Sequence, residues 1–139
     1  SIYLNLKGRE GKGIVDPKDA AALKINLAEK LKQWHHPDGL QVMYRVHLSE
    51  EIFKGDYSSD GPDLIAGYSD GFRTSWESAL GAAPSGDLLK ESREPWGADH
   101  CCDPYFVPGV VFCSEKILPV APSVYDIRPL VSSLIGEDL

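Results

Sequence analysis

Hydrophobic and polar positions change period several times along the chain. Ile2 to Leu6 alternate loosely, which predicts a short first strand, and the three glycines between Lys7 and Gly13 predict a flexible loop after it. Asp16-Pro17-Lys18-Asp19 then opens a helix: Asp16 can cap, Pro17 suits the first helical position, and Asp19 sits near the positive end. Leu23, Leu27, Leu31 and Trp34 recur on one face with Ala20 and Ala28 nearby, so this helix is expected to run to about Gln33 and pack on a sheet. His35-His36-Pro37-Asp38-Gly39 stops it.

Strict alternation follows over Leu40–Leu48. It predicts a half-buried strand with Val42, Tyr44, Val46 and Leu48 inward, and Gln41, Met43, Arg45 and His47 toward solvent. Ser49 to Phe53 fits one helical turn, and Lys54 to Pro62 is a turn-rich connection. Asp63 to Tyr68 is a compact apolar run between turn signals, as in a central strand, and Phe72 to Trp76 could pair onward. Residues 85 to 98 are polar and broken by Pro and Gly, which predicts a surface loop, and Val107 to Cys113 returns to a buried strand. Ser123 to Leu130 leads an amphipathic helix striped by Ile127, Leu130, Val131 and Leu134, with Gly136 as its stop. No internal repeat or low-complexity tract interrupts this order, so the expectation is a single α/β domain over residues 1–139.

Composition narrows the function classes. The length of 139 residues and 42% hydrophobic content support a real core. A net charge of −7 without a basic stripe argues against a nucleic-acid surface, and a phosphate ligand would need a metal to supply positive charge. No apolar run reaches the roughly 18–20 residues that span a bilayer, so a soluble protein without membrane insertion is expected. Three cysteines, with Cys101 and Cys102 adjacent, favour reduced thiols over a disulfide framework and a cytoplasmic compartment. The chain opens at Ser1 directly in a strand pattern, which suggests a fragment of a longer protein.

Candidate chemistry concentrates in residues 96 to 112, where Asp99, His100, Cys101, Cys102 and Asp103 are consecutive and run into the last predicted strand. Imidazole with carboxylate is a common zinc donor set, yet neighbours in sequence rarely converge on one ion, and a loop histidine bonded to a carboxylate fits the same residues. A thiol nucleophile at Cys101 or Cys102 would need a histidine aimed at the sulfur from elsewhere. Gly8 and Gly13 have the spacing of a phosphate loop, but Ile14-Val15 stands where Lys-Ser/Thr is required. The His35-His36 pair lies in a last helical turn, where the helix dipole alone favours histidine.

Four segments, in order, carry a resemblance. Tyr3-Leu-Asn-Leu-Lys-Gly-Arg-Glu10 with Gly13-Ile-Val15; Pro62-Asp-Leu-Ile-Ala-Gly-Tyr68 with Gly71-Phe-Arg-Thr-Ser-Trp76; Trp96-Gly-Ala-Asp-His100 with Val107-Pro-Gly-Val110; and Asp126-Ile-Arg-Pro-Leu130 before Gly136 resemble the C-terminal third of type I phosphodiesterase/nucleotide pyrophosphatase proteins of the alkaline phosphatase superfamily. The resemblance implies part of a three-layer α/β sandwich, a mixed and mostly parallel sheet with flanking helices. It also implies hydrolysis of phosphate esters at two zinc-like ions with a Thr or Ser nucleophile. His100 matches the family's late metal-binding histidine, and Asp99 the carboxylate that orients it.

The family's nucleophile and its other metal ligands have no counterpart here, since Ser58, Ser59, Thr74 and Ser75 stand in no matching context. The expectation is therefore a C-terminal piece of a metal-dependent phosphodiesterase or phosphatase, inactive alone and acting on a small phosphate ester only in the complete enzyme. The rival expectation is a non-catalytic ligand- or partner-binding α/β domain. It would self-associate through the apolar face on which the rest of a larger protein packs.

Overall fold

The computed structural model describes residues 1–81, 85–93, 95, 102–116 and 121–136. The chain divides into two compact units, Ser1–Val107 and Pro108–Leu139.

In the first unit, the Asp16 carboxylate accepts the Lys18 N–H at 3.2 Å and starts a 3₁₀ turn, Pro17–Asp19, that leads into α1, Ala20–Lys32. Gln33 caps α1, within a residue of where the apolar stripe ends, and Lys30 and Lys32 occupy the last turn, where cations suit the dipole. Trp34 then accepts the Val42 N–H at 3.0 Å, which folds the chain back into β1, Met43–Leu48. One helical turn, α2 (Ser49–Ile52), and a 3₁₀ turn, Ser58–Asp60, lead to β2, Leu64–Tyr68. After β2, Ser75 caps a short α3, Trp76–Ala79, where an onward strand is expected.

The sheet of the described residues is one antiparallel pair, β1 with β2, rather than a mostly parallel array. The reason is local. Ser49 N–H donates to the Asp63 carbonyl at 3.1 Å and closes the connection at its own base, so the chain returns beside β1 instead of crossing over. The result is a small mixed α/β unit. The opening residues form no strand either. Ile2 makes a single antiparallel bridge to Leu64, and Leu6 a parallel bridge to Val15.

Burial follows the strand period with one interruption. Pairing runs Leu48↔Leu64, Val46↔Ala66, then Arg45↔Gly67 and Met43↔Tyr68, so Tyr44 is an extra residue in β1. That bulge lets Met43 join Val46 in the core and turns Tyr44 away, which reverses the sides expected for these two residues from simple alternation. Ala28, Val42, Met43, Val46 and Leu64 form the core, with Leu27, Leu31 and Trp34 of the α1 region packed against it. Burying a side chain such as Leu64 fully contributes roughly 1.5–3 kcal/mol.

The loop over residues 7–13 is tightly built where flexibility is expected. A Cβ on Gly13 would lie 2.0 Å from the Leu6 carbonyl oxygen, so the backbones touch there. Arg9 in the same loop reaches across to Asp63 and to the Leu4 carbonyl.

The second unit lacks the strand expected over Val107 to Cys113. Pro108 offers no N–H and Gly109 no side chain, and Val110 and Phe112 are exposed. Its regular part is a 3₁₀ turn, Val124–Asp126, followed by α4, Ile127–Ile135. Ser123 and Asp126 bond reciprocally to cap the start, and Gly136 in the left-handed region ends the helix, as its position predicts. No helix of the described residues is long and apolar enough to cross a membrane.

Candidate functional site

The β1–β2 pair has a second face, opposite the core. Alternation places Arg45 and His47 of β1 on it, beside Ile65 and Gly67 of β2. Gly67 leaves a gap in that face, and Asp103 fills it: a Cβ on Gly67 would lie 2.3 Å from Asp103 Oδ2. Three contacts fix the aspartate. Cys102 bridges to Tyr68 in parallel fashion, Asp103 N–H donates to the Tyr68 carbonyl at 3.0 Å, and Asp103 Oδ1 accepts the Tyr105 N–H at 2.9 Å. The last of these caps a 3₁₀ turn over Pro104–Phe106, with Pro104 in its first position.

The carboxylate is thereby carried into the interior, at 1% relative exposure. Its Oδ2 is buried and makes no hydrogen bond. His47 Nε2 stands 3.5 Å away, within ion-pair range but beyond good hydrogen-bond geometry. The His47 side chain is 29% exposed, so one flank of the pair meets solvent, which places this histidine between the solvent side expected of it and the interior. Tyr44 stacks on Tyr105 with centroids 4.9 Å apart, and Phe106 sets its edge against Tyr44 at 4.7 Å. Arg45 lies over the Tyr44 and Tyr105 rings at 5.0 and 5.4 Å, a cation–π arrangement.

The residues singled out in the sequence are distributed as follows. His100, Asp99 and Cys101 lie outside the described residues. Cys102 and Cys113 are free thiols. His36 Nδ1 pairs with Asp38, and His35 Nδ1 is 2.6 Å from the Gln33 carbonyl, so this pair serves the end of α1. Ser75 caps α3, and Thr74 Oγ1 donates to the Tyr68 hydroxyl at 3.3 Å. Among the described residues no three His, Cys, Asp or Glu side chains converge in a way that could hold a metal ion. Alternation puts His47 on the face it occupies, but does not reveal its meeting with Asp103. The glycine inside an otherwise apolar strand run is the signal that another group approaches there.

No protein-family model, curated protein or solved structure matches this chain.

Proposed function

We propose that the chain is the C-terminal part of a metal-dependent phosphodiesterase or phosphatase of the type I phosphodiesterase/nucleotide pyrophosphatase kind. Its fold would then be one portion of an alkaline-phosphatase-like three-layer sandwich. The observation that carries the reading is the ordered run of four segments ending in the Asp126–Leu130 helix, with Asp99-His100 in the place of the family's late histidine ligand. In this reading His100 holds one of the metals, zinc being the fitting ion, and Asp99 orients its ring. A bound metal would supply the positive charge toward a phosphate ester that a chain of net charge −7 lacks.

The described donors, His47 and Asp103, are fewer than the three protein ligands a catalytic zinc normally has. They do not complete a hydrolytic centre, and the reading requires ligands and a nucleophile from preceding sequence. The 139-residue chain alone is then inactive. The coding sequence upstream of Ser1 tests this directly: an Asp and a Thr or Ser at a strand-to-helix junction, followed by an Asp-His pair, supports the reading, and their absence sinks it. Turnover of a bis-aryl phosphate by the purified chain, abolished by His100→Ala, would equally overturn the claim that the chain is inactive alone.

A second reading, a non-catalytic partner-binding domain, is favoured by one observation: Ile127, Val131 and Leu134 on α4 are exposed. Concentration-dependent self-association without bound metal supports it, and stoichiometric zinc in elemental analysis counts against it.

A further inference from the structure

We propose that the cleft between the opening loop and the Ser58–Asp60 turn binds a short dipolar peptide, about two residues long, with an aromatic side chain. The proposal goes beyond the phosphodiesterase reading and stands without it, because that reading places its chemistry at His100.

The space is built before any ligand arrives. The cleft has a volume of about 600 Å³, within the range of small-molecule sites, and Tyr3, Leu6 and Pro17 supply its apolar lining. On one wall, Arg9 bonds both oxygens of Asp63, and Gly13 closes the loop against the Leu6 carbonyl. On the other, Gly61 lies against the Phe53 ring. Walls fixed in this way lose little freedom when a ligand enters.

The charges select the ligand. Of the four charged side chains in the lining, Arg9 and Glu10 bond each other at 2.9 Å, and Arg9 is further engaged by Asp63. That leaves Lys7 on the loop wall, without an ion pair among the described residues, and Asp60 on the opposite wall, which takes only the Ser59 hydroxyl at 3.5 Å. A free cation facing a free carboxylate complements a molecule with opposite charges at its two ends. A simple anion or cation would be repelled by one wall.

Length and shape follow. Lys7 and Asp60 lie farther apart than the 4.0 Å of an ion pair, whereas a free amino acid carries both its charges on one carbon. Two residues in extended form span roughly 7 Å and separate the charges. The Tyr3 ring, 57% exposed beside Leu6 and Pro17, offers an aromatic side chain a surface to stack on. At the loop tip nothing lies within 4 Å of where a Gly8 side chain would be, so the approach is open.

The test is an NMR titration of the isotope-labelled 139-residue chain with glycyl-phenylalanine, its N-acetylated and C-amidated forms, and phenylalanine. Binding in roughly the millimolar range is expected, with the backbone amides of Gly8 and Gly61 shifting. Acetylation, amidation, Lys7→Ala and Asp60→Asn should each weaken it about threefold or more, the effect of losing one exposed ion pair. Lys7 and Asp60 are exposed, so both variants should fold, which circular dichroism checks. Lys12→Ala, in the same loop but outside the lining, should bind as the wild type does. Gly8 and Gly61 amides unmoved by the dipeptide would overturn the proposal. So would phenylalanine or a blocked peptide binding as tightly as the dipeptide, or variants at Lys7 and Asp60 that bind like the wild type. Each of these results leaves the reading of His100 untouched.

Discussion

The Arg9 guanidinium donates to both carboxylate oxygens of Asp63, 3.2 Å to Oδ1 and 2.7 Å to Oδ2, across 54 residues of sequence. Asp63 Oδ2 also accepts the Leu4 N–H at 2.7 Å, and Arg9 returns a bond to the Leu4 carbonyl at 2.6 Å. The aspartate just before β2 thus anchors the opening segment at two points, in a position 7% exposed. Asp63→Ala removes the acceptor for Arg9 and for a buried backbone N–H together. It should cost about 2–3 kcal/mol in urea unfolding, and Arg9→Ala less, because Leu4 still bonds the carboxylate. Equal losses from the two single variants would show that the Leu4 bond contributes nothing.

The same cluster sets an acid limb. Burial alone raises the Asp63 pKa, but the Arg9 hydrogen bonds, the Leu4 N–H and the Arg9 charge outweigh it and hold the carboxyl below the ordinary aspartate range. Glu50 is likewise held low, first by its hydrogen bond from Lys24, though it is exposed and screened by salt. With both folded-state values depressed, the unfolded chain takes up protons first as pH falls. The contribution is complete above the unfolded carboxyl range, about pH 4, and is lost as pH drops through the folded values. Thermal melts should be flat from neutral pH to about pH 5 and fall below about pH 4. Asp63→Asn should flatten that fall; an unchanged acid limb in this variant would place the effect elsewhere.

What was legible in the sequence divides along physical lines. Local signals read correctly: the Asp16-Pro17 start of α1, its end near Gln33, the helical turn at Ser49, the strand runs that became β1 and β2, and the Gly136 stop of α4. These depend on capping groups and periodicity within a few residues. Pairing partners did not read, because the direction of β2 beside β1 is decided by the Ser49–Asp63 bond, and the Tyr44 bulge breaks an alternation that looked regular. The apolar run after Val107 misled because its composition is that of a strand while Pro108 and Gly109 deny it a ladder. At the candidate site, Asp103 was visible as a neighbour of His100, but its meeting with His47 depends on pairing and on the space at Gly67.

Core substitutions should rank by burial. Leu64 is 0% exposed, is paired with Leu48 and shares the core cluster with Ala28 and Val46, so Leu64→Ala should cost about 2–5 kcal/mol. Leu27→Ala on α1, only partly buried against the same cluster, should cost less. The check is the difference in urea midpoints at unchanged slope.

Two glycines of the opening loop should respond oppositely. An added methyl on Gly11 meets nothing within 4 Å, so Gly11→Ala should leave stability within about 0.5 kcal/mol. On Gly13 it would meet the Leu6 carbonyl at 2.0 Å, backbone that cannot rotate aside, and Gly13→Ala should cost about 1–3 kcal/mol. Equal midpoints for the two variants would mean that the loop is loose rather than closed on Leu6.

Gly67 should prove coupled to Asp103 and not merely tolerant of small size. Gly67→Ala drives a methyl to within 2.3 Å of Oδ2 and 2.8 Å of the Asp103 Cβ, so the aspartate must leave the face of β2. Its departure would also release the Tyr105 cap and the bond from Asp103 N–H to the Tyr68 carbonyl. A loss of about 1–3 kcal/mol is expected from the clash. In an Asp103→Gly background the methyl meets no side chain at that position, and the added cost of Gly67→Ala should shrink toward the ordinary difference between these residues in a strand. A double-mutant cycle in urea measures the coupling, expected at about 1 kcal/mol or more for residues in direct contact. Strict additivity would show that Asp103 does not rest against Gly67 in solution, and with it the buried carboxylate beside His47 would lose its structural basis.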